Sequence, residues 1–444
     1  MTTSVHDEVL RVARDLIRMD TSNAPAEALG RPPGEETQAA EYLHDYLSGH
    51  GVECELVARD ERRANLVARI PGSGDGPSLA FVGHTDVVPA DARDWTHPPF
   101  EAVVDDDGWL WGRGAIDMKG EVAGRAVAMA ALARSGFRPR GDLWLLAVAD
   151  EEDGMYDVGM RWLLEARPDI RPDLALNEGG GERMVLSDGR VVLPVGVGEK
   201  GTYPVRVTAV GEAGHASTPT IGDNAVPHLG EVLRRIGLGT AEPQRSPLLE
   251  RTLEILLGEA PGDLGEALAR AGRLQPLLLD VLPALVGTTM APTLVGGSSK
   301  RNVMPARAWV ELDCRILPGT TEADVERAVR ARLGDDLRYE LTWPEHLVAG
   351  SSSPEESPLI DAIGAVLAEQ GETGSLLPLL GTGFTDSVYL RAGAGTTAYG
   401  FNPYRATSAE VVAEGFHNAD ERIHVDDLTH SVAFHEALAR RVLG

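Results

Sequence analysis

Gly112-Arg113-Gly114-Ala115-Ile116-Asp117-Met118-Lys119-Gly120 lies between an apolar, tryptophan-containing segment (Trp109, Leu110, Trp111) and a helix-like run from about Glu121 to Ser135. Asp117 therefore falls where a loop enters a helix. Upstream stands His84-Thr85-Asp86, and downstream stand Asp150-Glu151-Glu152, Asn177-Glu178 and Gly415-Phe416-His417. Each segment contains a residue type that binds a borderline divalent cation. Five such groups hold two ions if Asp117 bridges them, which points to two-metal hydrolytic chemistry.

Outward from this stretch, the first half of the chain alternates helices and strands. Val5, Val9, Val12 and Leu16 recur at helical spacing, and a second amphipathic helix is expected over 37–50, stopped by Gly51. Strands are expected over 53–58, 65–70 and 78–82, the last running straight into His84. The helix after Asp117 ends at Gly136, and a strongly apolar strand over 142–149 runs into Glu151 and Glu152. Residues 174–176 lead likewise into Asn177-Glu178. This alternation predicts an α/β fold, a mixed and largely parallel sheet flanked by helices, whose sites lie beyond the carboxyl ends of its strands. Three of the candidate segments sit at such ends, so their placement indicates one shared site.

From about Gly198 the pattern changes. Strand 202–210, helix 224–235, strands 292–296 and 306–316, helix 322–333 and strand 337–342 follow the βαββαβ order of a ferredoxin-like α+β sandwich. The expected domains are 1–197 and 351–444 for the α/β part, with 198–350 inserted between them. Within the insert, residues 237–291 carry leucine-rich runs at 248–257 and 274–285 and read as an extra helical element. Ser351-Ser352-Ser353-Pro354 is a linker, a helix over 358–370 returns the chain, and Leu380-Gly381-Thr382-Gly383-Phe384-Thr385-Asp386 is a glycine-rich turn. A strand near 396–400, the loop holding His417 and a closing helix over 427–442 complete the order.

Composition excludes several classes. With 444 residues the chain is long enough for two cores, and its net charge of −27 with no basic run argues against nucleic acid. Cys54 and Cys314 stand far apart in no metal-binding spacing, so reduced, buried thiols are expected. The N-terminus carries charges throughout and does not read as a signal peptide, and no apolar stretch approaches the roughly 18 residues of a membrane span. A cytoplasmic enzyme acting on a small molecule, without membrane partners, is the natural expectation.

His84, Asp117, Glu178, Glu152 and His417 supply two imidazoles and three carboxylates, the ligand mix of a zinc site with an open position for water. Asp86, two residues beyond His84 in an extended segment, faces the same way and is placed to hold the other ring nitrogen. Glu151 and Glu152 are adjacent carboxylates, and one as ligand with the other as general base gives them separate roles. Taken singly, a His-x-Asp is more often a surface pair and a Glu-Glu more often a solvated face. His417 and His424 read equally as loop residues, and His97 is assigned to that class.

With these segments in view, the chain resembles the family of two-zinc hydrolases that includes aminoacylases, acetylornithine deacetylases, succinyl-diaminopimelate desuccinylases and carboxypeptidases. The resemblance is carried by 83–89, Trp95 through Pro99-Phe100, 112–120, 150–152, 177–180, Gly214-His215-Ala216-Ser217-Thr218-Pro219, Asn302 with Pro305, Asp313 with Arg315, and His417 with Glu421. It implies one zinc on His84, Asp117 and Glu178, a second on Asp117, Glu152 and His417, and Glu151 as the base, with cobalt as an alternative ion. It further implies that the inserted sandwich is a lid and dimerisation domain, hence a homodimer, and that His215 stabilises the tetrahedral oxyanion. Asn302 and Arg315 resemble positions that contact a substrate carboxylate, while Arg315 reads equally as an ion-pair partner of Asp313 or Glu311. Thr382, Gly383 and Thr385 are placed to shape the pocket floor, and Asp386 to structure that loop. The implied activity is cleavage of an amide bond in an N-acyl amino acid or small peptide. A dedicated biosynthetic N-deacylase is the alternative within the class, and a non-catalytic metal-binding relative the alternative outside it. The segments 176–180 and 415–423 lean toward the aminoacylase and carboxypeptidase branch.

Overall fold

Apolar spacing sets the first helix: Val9, Val12 and Leu16 of Val5–Ile17 are fully buried, and the Ser4 hydroxyl caps its start by accepting from the Asp7 amide. The computed structural model describes residues 4–237, 239 and 243–444. The chain divides into two compact units, one of residues up to Gly198 with Ser353–Leu379 and Thr385–Gly444, the other of Glu199–Ser352 with Leu380–Phe384.

In the first unit the main sheet runs in the order Glu53–Val57, Asn65–Ile70, Leu143–Val148, Leu79–His84, Leu174–Asn177, Thr397–Gly400, Val191–Glu199. Its four middle strands, from Leu143–Val148 to Thr397–Gly400, are mutually parallel. The flanking strands pair antiparallel, so the sheet is mixed with a parallel centre. Such a centre is buried on both faces, and every residue of Leu79–His84 and Leu143–Val148 is. The helix Lys119–Arg134 is buried nearly all round because alanine, valine and glycine dominate its sequence. Among the described residues no helix is long and apolar enough to cross a membrane.

Val191–Glu199 and Ser375–Gly381 are strands that sequence periodicity did not announce. Pro194, Gly196 and Gly198 interrupt the first, and Pro378 with the glycine-rich stretch after it masks the second. The expected turn at 380–386 thus begins as the end of a strand.

In the second unit four strands lie in the order Tyr339–Thr342, Val205–Val210, Arg307–Ile316, Thr289–Gly296, all antiparallel. Numbered along the chain this is 4-1-3-2, the ferredoxin-like order. Helices Ala225–Ile236 and Glu322–Leu333 contribute Leu229, Val232, Val325 and Val329 to one core with Val207, Val310 and Leu312. The expected helical element at 237–291 contains three helices, Pro247–Leu257, Leu264–Leu274 and Leu277–Leu285, and residues 238 and 240–242 of it lie outside the described residues. Buried Lys200 donates to the carbonyls of Ala284 (2.8 Å) and Gly287 (2.7 Å), closing the end of the last of these helices.

Candidate metal centre

A buried loop must satisfy its backbone amides, and at 112–118 one carboxylate takes three of them. Glu421, wholly buried, accepts from Arg113 Nη1 (2.7 Å) and the Gly114 amide (3.0 Å) through Oε2. Its Oε1 accepts from the amides of Ile116 (2.7 Å) and Asp117 (2.9 Å). The loop is thereby drawn around one anion, with the Asp117–Met118 peptide in the cis form. The sequence singled out Glu421 only alongside His417; its place at the heart of this loop is visible only in three dimensions.

Asp117 presents one oxygen to each side. Its Oδ1 lies 3.0 Å from His84 Nε2, and its Oδ2 lies 3.0 Å from His417 Nε2. Each histidine is flanked by one further carboxylate: Glu178 Oε2 stands 3.6 Å from His84 Nε2, and Glu152 Oε2 3.0 Å from His417 Nε2. Ligand atoms of His84, Asp117 and Glu152 lie within 4.8 Å of one another, as do those of His84, Glu151 and Glu178. Asp117 thus lies between the two histidines, and His84 is common to both clusters. His417 (φ 55°) and Asp150 (φ 64°) hold left-handed backbone conformations, which cost a non-glycine residue about 1–3 kcal/mol each and mark positions fixed by their surroundings.

Asp86 acts differently from the sequence-based expectation. His84 Nδ1 makes its short contact, 2.9 Å, with the Asp86 backbone carbonyl, while the Asp86 carboxylate stands 3.6 Å away. That carboxylate instead accepts from the amides of Glu151 (3.3 Å) and Glu152 (3.1 Å) and from Asn23 Nδ2 (2.9 Å). It fixes the turn that carries the Glu-Glu pair, and the carbonyl fixes the ring. Asn23 also reaches Asp150 (3.2 Å), a link between loop and turn that no local motif signals.

The electrostatics reflect crowding of anions. Burial, and after it the charge of Glu178, pushes Glu151 well above the usual carboxylate range. Burial and the neighbouring Asp117 push Glu152 up to about 7, and burial raises Glu178 and Asp386 as well. Asp117 is the exception, because hydrogen bonds from His417 and His84 outweigh its burial and hold it well below the usual range. His417 is pushed up to about 10 by its bonds to Asp117 and Glu152. Glu152 Oε1 and Glu178 Oε1 are buried with no hydrogen-bond partner among the described residues. Two imidazoles, clustered carboxylates and two unpartnered buried oxygens fit a pair of divalent cations.

A model of peptidase family M20/M25/M40 matches residues 80–441. The chain belongs to that family. Membership makes it a metal-dependent hydrolase of amide bonds, of the metallopeptidase class. The chain is 30% identical over 444 residues to the succinyl-diaminopimelate desuccinylase of Methylobacterium sp. (strain 4-46), with 96% of each chain covered. Among solved structures it is similar to an M20 family metallo-carboxypeptidase from Sulfolobus solfataricus, at TM-score 0.69 and 18% identity over 98% of this chain and 99% of that one. It is similar also to a dinuclear metal-binding M20 peptidase from Bacillus subtilis, at TM-score 0.63 and 15% identity over 99% and 98%. At such identities these two likenesses carry the fold alone.

Four further sequence-predicted residues, His215, Asn302, Arg315 and Gly383, belong to the second unit. Gly214-His215 pairs with Val303-Met304, and the Ala216 amide donates to the Asn302 carbonyl (3.0 Å), so His215 and Asn302 are neighbours. His215 is exposed, with Nδ1 2.7 Å from Ser217 Oγ. Arg315 donates to Asp313 (2.8 Å), while Glu311 is taken by Arg206 (2.7 Å). Gly383 has open space where a side chain would stand. Of the histidines read as ordinary loop residues, His97 leans on Trp111 and His424 caps the closing helix Val425–Leu443.

Proposed function

We propose that His84, Asp117 and Glu178 hold one divalent ion, that Asp117, Glu152 and His417 hold a second, and that the enzyme cleaves the amide of an N-acyl amino acid or short peptide. One observation carries this reading: the two oxygens of Asp117 face two histidines at 3.0 Å, each histidine beside its own second carboxylate. Zinc is the ion proposed, with cobalt an effective substitute. Held by these residues, such ions would supply Lewis acidity toward the scissile carbonyl and toward a water.

The chain's own groups do the rest. Glu151, held high by burial and its anionic neighbours, is the proton acceptor, and the same carboxyl hands the proton to the departing amine. Asp86 keeps Glu151 and Glu152 aimed by binding both of their amides. His215 is the proposed donor to the oxyanion. Arg315 and Asn302 are proposed to bind the substrate carboxylate, with Gly383 leaving room beside it. Arg315 is 38% exposed, and exchanging Asp313 for another carboxylate at such a site changes the energy little. A homodimer formed through the inserted sandwich belongs to this proposal.

The sequence relatives favour a second reading, a dedicated deacylase of the desuccinylase type, at 30% identity over 96% of the chain. Metal analysis of protein purified without chelator, paired with a panel of N-acyl amino acids, dipeptides, N-acetylornithine and N-succinyl-diaminopimelate, separates the two. About two ions per chain with turnover on several members supports the broad amidase. Turnover confined to the succinyl substrate selects the desuccinylase, and metal-free protein that zinc and cobalt cannot activate sinks both.

A further inference from the structure

Helix Lys119–Arg134 contains a charged pair, Glu121 and Arg125, one turn apart and both buried. A guanidinium taken out of water must spend its donors on fixed acceptors, and Arg125 is 0% exposed. Its Nη1 donates to the Val82 carbonyl, and its Nη2 to the Asn177 carbonyl (3.0 Å) and to Glu121 Oε2 (2.8 Å). Its Nε lies 3.4 Å from Nε2 of His435, whose Nδ1 is 2.7 Å from the Ser431 carbonyl. Tyr404 occupies the other oxygen of Glu121 at 2.7 Å.

The two carbonyls are not arbitrary ones. Strands Leu79–His84 and Leu174–Asn177 pair over Leu79↔Leu174, Ala80↔Ala175 and Phe81↔Leu176, and there the ladder stops. One residue further on, Val82 and Asn177 both turn their carbonyls to Arg125. Two residues past Val82 is His84, and one past Asn177 is Glu178.

We infer that Arg125 is a positioning residue, a bridge that replaces the missing rung between two strand ends and thereby sets the separation of His84 and Glu178. Glu121 and Tyr404 hold the bridge itself. Glu152 and His417 hang from other elements, so the effect is confined to the half-site of His84 and Glu178. The inference rests on the two-ion reading for its consequence and on strand geometry for its substance.

Two variants test it. Glu121→Gln/Arg125→Met removes both charges and leaves none unpaired, and Arg125→Lys keeps a buried cation but lacks the fork. The second keeps the question open to test should the first fail to fold. Zinc affinities are measured by competition with a chelator. Wild type is expected to hold two ions, and each variant to hold one at wild-type affinity with the other weakened about 10- to 100-fold, the range found when groups supporting metal ligands are removed. A folded variant that holds both ions as wild type does overturns the inference, as does equal weakening of both ions or full rescue by lysine.

Amide hydrogen exchange on metal-free protein provides the readout independent of zinc. Faster exchange at 83–86 and 177–179, with 150–152 and 415–418 unchanged, is expected in both variants, and unchanged exchange at the strand ends overturns the bridge. Wild-type protein that binds fewer than two ions sinks the two-ion reading, while the exchange result still decides the role of Arg125.

Discussion

Arg113–Glu421 in the first unit and Arg315–Asp313 in the second are equally short ion pairs, at 2.7 and 2.8 Å. Their side chains are 3% and 0% exposed in the first pair and 38% and 37% in the second. Burial separates them where distance does not. Glu421 cannot part from its partners without leaving a charge uncompensated in the interior, so it is committed to building a loop. Asp313 can give up Arg315 to water or to a ligand at little cost. The same contrast divides the candidate residues: those of the candidate metal centre are nearly enclosed, save His417, while His215 is exposed and Arg315 half-buried.

If the contrast is sound, the largest effects come from the enclosed region. Glu151→Gln is expected to lower kcat by about 10²–10⁴-fold, the usual contribution of a general base, with metal content unchanged. Activity near wild type would remove Glu151 from its role. Glu421→Gln is expected to cost about 3–5 kcal/mol in thermal or denaturant unfolding, as breaking a buried pair does, and to loosen metal binding through Asp117. A loss no larger than that of Arg315→Ala would break the contrast outright.

The exposed region should answer in kinetics and stay silent in stability. His215→Ala is expected to reduce kcat by about 10²–10³-fold with the melting temperature and metal content unchanged, the cost of losing one oxyanion donor. Arg315→Ala should change stability by no more than about 1 kcal/mol. A raised KM in that variant places its guanidinium on the substrate, and an unaltered KM leaves it as a surface pair with Asp313.

The smallest effect concerns pH and an intermediate case. Burial pushes Glu8 up, but hydrogen bonds from Arg134 and Tyr46 outweigh it and hold the carboxyl below its ordinary 4.5. A depressed carboxylate adds stability that is fully present above that value and is lost as the pH falls through the folded-state pKa. Glu8→Gln is therefore expected to flatten the acid limb of a stability–pH curve below pH 4.5. A limb of unchanged slope would show that Glu8 contributes nothing there.

How far the sequence could be read follows from the same physics. The parallel strands were legible because apolar runs such as Leu143–Val148 end abruptly in acids or histidine, and burial leaves no other pattern for them. Val191–Glu199 was not, since its proline and glycines imitate a loop while the neighbouring strands alone make it a ladder. Helix Leu264–Leu274 fell inside the expected helical element at 237–291 but between its two leucine-rich runs, although Asp263 caps it and Leu264, Ala267, Leu268 and Ala271 share one face. The use of Asp86 depends on which of its oxygens faces the ring, and side-chain spacing carries no information about a carbonyl. Arg125 was legible in principle: Glu121 and Arg125 stand one turn apart in a helix whose middle is alanine, valine, glycine and methionine and is buried all round, so the pair is enclosed with it.

The residues proposed for the two ions also differ in when they come into being. His84, Asp117 and Glu178 have all been synthesised before the inserted unit begins at Glu199, whereas His417 follows the whole of it. A growing chain has every residue proposed for one ion early, and of those proposed for the other only His417 waits for its final stretch. The proposed centre is therefore complete only once the chain has returned and Val425–Leu443 has packed on Lys119–Arg134. A C-terminally clipped molecule lacks both His417 and Glu421, the carboxylate that orders the Asp117 loop, so neither of the proposed ion positions is complete in it.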